Sequence, residues 1–315
     1  MQQVELHRHL DVSLRVSTLL ALAKDLGLEA QSTSIESFRE KVFIRKPLDS
    51  LSTVLATFEL FQKVLVTPET LERIGFEGVE DCYEEGSEAV EFRYSPGFAY
   101  HYSKFSWQDL HDALLRGIER ACQKYPIRVG LICIASRDQG IESAEKTAEF
   151  FIKNQKSFVG FDLAGPEIEF PNRQFKPVFD RLRLENANIT VHAGEAAGPE
   201  NIWSAIEDLG AVRIGHGIRS IEDPKLMDVL RDQKICLEIC PTSNYLTRSV
   251  ESLAAHPLPE LKRHGIPVSI NTDDPGVFET TLPHELEICR SEMKLTEVEI
   301  LSCLADAAKH SFLNL

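Results

Sequence analysis

Eight apolar, strand-like segments alternating with amphipathic helices, with polar residues gathered where the segments end, predict one α/β domain over residues 1–315. The expected architecture is a (β/α)8 TIM barrel with additional helices after the first strand, because alternation builds a parallel sheet and eight strands close it. No linker, low-complexity stretch or regular repeat interrupts the series.

The first strand begins at Val4 and runs through His7, Arg8 and His9 towards Asp11. Leu14, Leu19, Leu20, Leu22, Ala23 and Leu26 then recur at helical spacing up to a Gly27 stop. Residues 50 to 64 continue that spacing through Leu51, Val54, Leu55, Phe58 and Phe61, which predicts one helix, and Pro68 opens another running towards Gly86. From there the rhythm is regular. Strands are expected at 89–95, 128–135, 158–165, 188–195, 212–217, 235–240 and 267–273. Helices are expected near 108–124, 141–155, 173–186, 199–209, 223–232 and 251–264, with further helices after 283 completing the outer ring and a short one closing the chain.

Bulk properties narrow the partners. The chain is 43% hydrophobic and 26% charged, the balance of a soluble globular protein able to bury a large core. Thirty-four basic against 49 acidic residues give a net charge of -15, which repels a phosphate backbone, and no basic cluster offers an exception; nucleic acid is excluded as a partner. No apolar run approaches membrane-spanning length, and the first strand follows Met1 too closely for a signal peptide, so a cytoplasmic location without membrane contact is expected. Seven cysteines without a C-x-x-C pair agree with reduced, buried thiols.

The chemistry starts at the first strand. Side chains two apart share a face, so His7 and His9 offer two imidazoles to one point. Imidazole is a common zinc ligand, and a catalytic zinc takes three protein ligands and keeps a position open. The strand ends supply candidates for the rest: His192-Ala-Gly-Glu195, Gly215-His216-Gly217 and Asn271-Thr-Asp273-Asp274-Pro275, each after an apolar run and beside glycine or proline. Taken singly, His192 reads as a satisfied buried histidine, His216 as part of a tight turn, Asp273-Asp274-Pro275 as a loop opening or helix cap, and Glu195 as a solvated carboxylate. Together they deliver groups to the barrel face that carries catalytic residues, and His7, His9, His192 and Asp273 make a coherent metal-binding set.

Seven motifs run in order through the chain: His7-Arg-His-Leu-Asp11, Glu91-Phe-Arg-Tyr-Ser-Pro96, Asp162-Leu-Ala-Gly165, Val191-His-Ala-Gly-Glu195, Gly215-His-Gly217, Pro241-Thr-Ser-Asn244 and Asn271-Thr-Asp-Asp-Pro275. In these the sequence resembles the adenosine deaminase family of the amidohydrolase superfamily. The resemblance implies zinc-dependent hydrolytic deamination of adenosine or 2'-deoxyadenosine to inosine or 2'-deoxyinosine and ammonia, in purine salvage. It implies one zinc per chain, held by His7, His9, His192 and Asp273, since the fourth strand ends without the lysine that dinuclear relatives place there. It further implies Glu195 as proton donor to ring N1, His216 as base and electrostatic aid, and Asp274 as holder of the attacking oxygen and of N7. Gly165 corresponds to the glycine whose N–H meets N3, Asp11 to the carboxylate on the ribose hydroxyls, and His9 and Ser13 to further substrate contacts.

Two departures bear on the substrate. Val12 stands where the family usually has glycine, and Val54 where a bulky aromatic often stands in an apolar lid. The alternatives are a deaminase of a 5'-modified adenosine, aminodeoxyfutalosine or adenine, another amidohydrolase reaction at the same metal, or an inactive nucleoside-binding relative. Oligomeric state is left open by the sequence.

Overall fold

The computed structural model describes residues 3–48, 51–313 and 315. Among these, eight parallel strands form two four-stranded sheets in sequential order. The first contains β1 (Val4–His9), β2 (Ala89–Tyr94), β3 (Arg128–Ser136) and β4 (Gly160–Ala164); the second contains β5 (Thr190–Ala193), β6 (Arg213–His216), β7 (Cys236–Ile239) and β8 (Val268–Ile270). Isolated parallel bridges, Phe161 to Ile189 and Arg8 to Asp273, join the sheets at both seams and close the barrel. At the second seam His9 N donates to Asp273 O at 2.8 Å and Asp273 N donates to His7 O at 3.1 Å.

Strands β2 and β4 to β8 stop one to three residues short of their expected carboxyl ends, while β3 runs one residue further, to Ser136. His216 and Asp273 adopt left-handed backbone angles, φ +59° and +64°, which are uncommon for non-glycine residues. Strand β1 carries a bulge: Glu5 pairs with Val90 and Arg8 with Phe92, so Leu6 and His7 together oppose Glu91. Glu5 and Arg8 therefore share a side, 3.4 Å apart, while His7 and His9 both look into the barrel mouth.

Helices cover the barrel because each buries an apolar stripe against it. After β1 come Val16–Asp25, Ile35–Val42, Leu51–Ala56, Glu59–Val64 and Pro68–Glu84. The helix expected over 50–64 is thus two short helices interrupted at Thr57 and Phe58, whose amides bond three residues back, to Val54 and Leu55; its first residue lies outside the described residues. The segment 251–264 keeps only Leu258–Arg263 as α-helix, and Ile35–Val42 and Pro241–Leu246 are helices that the spacing did not predict. The closing helix is long, Glu297–His310, and starts from a capping box between Thr296 and Glu299. No described helix is long and apolar enough to cross a membrane, and all seven cysteines are free.

Candidate active site

The carboxyl ends of β1, β5, β6 and β8 converge. His7, His9, His192 and Asp273 bring one ligand atom each to within 4.8 Å of one another. His9 Nε2 lies 3.2 Å from His192 Nε2, and Asp273 Oδ1 lies 3.2 Å from His7 Nε2 and 3.3 Å from His9 Nε2. His7 Nε2 is buried and has no hydrogen-bond partner. Three imidazole nitrogens and a carboxylate oxygen crowded together in this way are a donor set suited to a metal ion, and the orphaned His7 Nε2 fits a ligand lone pair aimed at a cation. Gly215 makes the crowding possible: a Cβ there would meet His7 Cε1 at 3.1 Å and the His192 backbone at 3.3 Å.

The opposite ring nitrogens are held from behind. His7 Nδ1 bonds Glu238 at 2.9 Å and His192 Nδ1 bonds Asp162 at 3.0 Å, which fixes both Nε2 lone pairs inward. These two carboxylates are fully buried, and Arg93 bridges them, 2.8 Å from Asp162 and 2.7 Å from Glu238, with a third bond to Leu6 O. Arg213 continues the chain from Glu238 at 2.7 Å to Glu91 at 2.8 Å. Despite its burial, the Asp273 carboxyl lies well below the usual range, because the facing imidazoles of His7, His216 and His9 outweigh desolvation. Burial pushes the His9 and His216 imidazoles well down, which favours their neutral forms.

Two carboxyls beside the donor set are shifted the other way. Burial, then the charges of Asp273 and Glu167, push Glu195 well above the carboxylate range; burial, then Asp273, Asp11 and Glu195, do the same to Asp274. Glu195 Oε1 accepts from Thr247 Oγ1 at 3.1 Å, and its Oε2 lies 3.6 Å from His216 Nε2. Its loop is pinned by Glu167, whose carboxylate accepts from the amides of Gly194, Glu195 and Ala196 at 2.8 to 3.0 Å. Asp274 Oδ1 is buried without a partner.

These groups line a recess of about 60 Å³ that also contains Val54, Phe58, Gly165 and Phe278. His9, Leu55, Phe58, Ala164 and Gly165 are shared with an outer chamber of about 560 Å³, whose walls include Asp11, Val12, Ser95, Phe98 and Asp138. Gly165, at φ +99°, holds a conformation that side chains disfavour. Asp11 accepts from Ser95 N at 3.1 Å, and burial lifts it to about 7. Two expected site residues line neither chamber: His7, which sits behind the recess with its ring against His9 and His192, and Ser13, whose hydroxyl donates to His9 O and which lines a separate cleft with Arg8 and Glu279. Sequence reasoning missed Arg93, Asp162, Glu167 and Glu238 as supports. Their signal was a charge embedded in an apolar strand or following one.

A family profile described as adenosine deaminase matches residues 2–315. An adenosine deaminase from Escherichia coli O157:H7 is 37% identical over 310 residues, covering 98% of this chain and 93% of its own. Among solved structures, an adenine deaminase from Arthrobacter aurescens superposes with a TM-score of 0.92 at 25% identity, over 99% of this chain and 94% of that one. The N6-methyl-AMP deaminase of Arabidopsis thaliana gives 0.84 at 28% identity, over 100% and 93%. The chain is therefore a hydrolytic aminohydrolase and belongs to the adenosine deaminase family.

Proposed function

We propose that the protein is a zinc-dependent deaminase of an unphosphorylated 6-aminopurine nucleoside, acting on adenosine and 2'-deoxyadenosine and releasing ammonia and the 6-oxopurine nucleoside. The observation that carries this reading is the pair of joined chambers, a recess lined by His9, His192 and Asp273 of the donor set with Glu195 and Asp274, and an acidic chamber outside it. The recess suits the reacting edge of the base and the outer chamber the sugar. Among the described residues lining the outer chamber, Asp11, Glu59 and Asp138 are acidic and none is lysine or arginine. Lys63, near its rim, is paired with Glu59 at 2.9 Å. A 5'-phosphate would meet carboxylates there, so the preference of a nucleotide deaminase such as the Arabidopsis relative is not expected.

His7, His9, His192 and Asp273 would hold one zinc, whose contribution is to lower the pKa of water towards about 7 and so provide a nucleophile at neutral pH. The remaining work falls to the chain. Glu195, kept protonated by burial and by the charges of Asp273 and Glu167, gives its proton to ring N1 as water adds at C6. The resulting carboxylate takes up the proton that the water gives up, and ammonia leaves with a proton from the new C6 hydroxyl. Gly165 admits the purine edge, Asp274 faces N7, and Asp11 takes the ribose hydroxyls. Seven unpaired thiols, six of them buried, agree with a reducing cytoplasm.

The chamber volume beside Val12 favours a second reading, in which the preferred nucleoside carries a neutral 5' substituent. One panel tests both: adenosine, 2'-deoxyadenosine, 5'-methylthioadenosine, aminodeoxyfutalosine, adenine, AMP and N6-methyl-AMP, compared by kcat/KM with metal content measured on the same sample. Adenosine is expected to exceed adenine and AMP by about 100-fold or more. A phosphorylated substrate or the free base in first place would overturn the proposal.

A further inference from the structure

Behind His216 runs a chain of three hydrogen bonds that ends on a backbone amide. Leu258 N donates to His256 Nδ1 at 3.0 Å; His256 Nε2 meets Asn244 Oδ1 at 3.2 Å; Asn244 Nδ2 meets His216 Nδ1 at 3.1 Å. His256, Asn244 and His216 are all buried. A backbone N–H only donates, so His256 Nδ1 must be the unprotonated nitrogen, and a neutral ring then carries its proton on Nε2. Burial pushes His256 down to about 3, which keeps that ring neutral. With His256 Nε2 donating, the Asn244 atom facing it is the carbonyl, and the amide NH2 points to His216. Turning the Asn244 amide over would leave His256 accepting at both nitrogens, which no neutral imidazole can do.

We infer that His256 is a positioning residue that acts through Asn244 to hold neutral His216 as its Nε2–H tautomer. His216 then enters the site as a hydrogen-bond donor, with Nε2 3.6 Å from Glu195 Oε2 and 3.9 Å from Asp273 Oδ2. It orients the attacking oxygen and stabilises negative charge that builds on it. It does not take the water's proton, as the family resemblance had implied, because neither ring nitrogen has a free lone pair; the carboxylate of Glu195 receives it. His256 lies outside both chambers, so it exerts this effect without touching substrate.

The tautomer is independent of substrate, whereas its catalytic consequence rests on the deaminase reading. The direct test is 15N NMR of the purified protein labelled with [15N]histidine, with His216 assigned by loss of its signals in His216→Asn. A protonated Nε2 and an unprotonated Nδ1 are expected; Nδ1–H on His216 overturns the inference. Asn244→Asp, which is isosteric and accepts from both rings, is expected to move the proton to Nδ1 without changing bound zinc, and an unmoved proton counts against the relay. In kinetics, His256→Phe should lower kcat by about 10- to 100-fold with KM nearly unchanged, and His256→Gln, which keeps a donor, should recover most of it. Wild-type kcat in His256→Phe, or an equal loss in both variants, overturns the positioning role. Absence of deamination with every aminopurine, together with the expected tautomer, would refute the function and leave the relay standing.

Discussion

Replacing Glu195 by glutamine separates proton donation from everything else the residue does. The side chain is 6% exposed, accepts from Thr247 Oγ1 at 3.1 Å, and lies outside the metal donor set. Glutamine has the same shape, presents a carbonyl to Thr247 and keeps the backbone amide that Glu167 holds at 2.9 Å. Because burial raises the native carboxyl well above the carboxylate range, exchanging it for a neutral amide is expected to cost the fold little, and Tm should not fall. What disappears is a transferable proton. Loss of a general acid costs about 10²- to 10⁴-fold in kcat, roughly 3–5 kcal/mol of barrier, while KM stays within a few-fold because an amide N–H still faces ring N1. A sign follows for pH. Glu195 is active below its raised pKa, so the wild type should lose kcat/KM as pH rises through that value, and the glutamine variant should lack this limb. Steady-state kinetics across pH, with zinc content measured alongside, checks the reasoning. A glutamine variant within threefold of wild-type kcat would refute it.

Arg93→Met leaves Asp162 and Glu238 buried without their shared counter-charge. Breaking a buried ion pair costs about 3–5 kcal/mol, so urea denaturation should show a loss of that order, together with weakened zinc binding as His7 and His192 lose their orientation. Chelation should lower Tm and activity together, and added zinc should restore both; an ion at about 100 times its Kd contributes about 2.7 kcal/mol. His111, held between Tyr94 and Ser157 and pushed by burial from 6.5 down to about 4, binds no proton in the folded state over that window while the unfolded chain does. Stability is therefore lost as pH falls below 6.5, by about 2 kcal/mol at pH 5 from this residue, and His111→Gln should flatten that slope in pH-dependent denaturation.

Barrel class, strand count and strand order were legible because a short apolar run, a glycine or proline break and a helical stripe leave separate signals. The candidate metal set was legible because strands fix which residues share the barrel mouth. The errors have local causes. Strands were read too long at His192-Ala-Gly-Glu195 and Asn271-Thr-Asp273 because side-chain type does not record where a regular ladder ends: β5 stops at Ala193 and β8 at Ile270, leaving only an isolated bridge at Asp273, where φ is +64°. The break at Thr57 and Phe58 is a change in amide bonding that side-chain spacing does not record. Pro241–Leu246 is short and polar, and its Asn244 serves His216 rather than a periodic face. Supporting charges such as Glu238 have partners set by tertiary closure: Arg93, Arg213, His7 and Thr190 come from four different strands. No local pattern names them.

The seam between β8 and β1 has a consequence for the polymer as a whole. Asp273 and His7 are 266 positions apart, and the same residues that pair their backbones there also belong to the donor set. Bringing together ends separated by that many residues costs roughly 5 kcal/mol of chain entropy by the (3/2)RT ln n relation. An ion held by His7 and Asp273 is thus a ring closure for nearly the entire molecule. Amide exchange at His9 and Asp273 should report its arrival more sharply than exchange anywhere along the β4–β5 seam, where no ligand pair spans the gap.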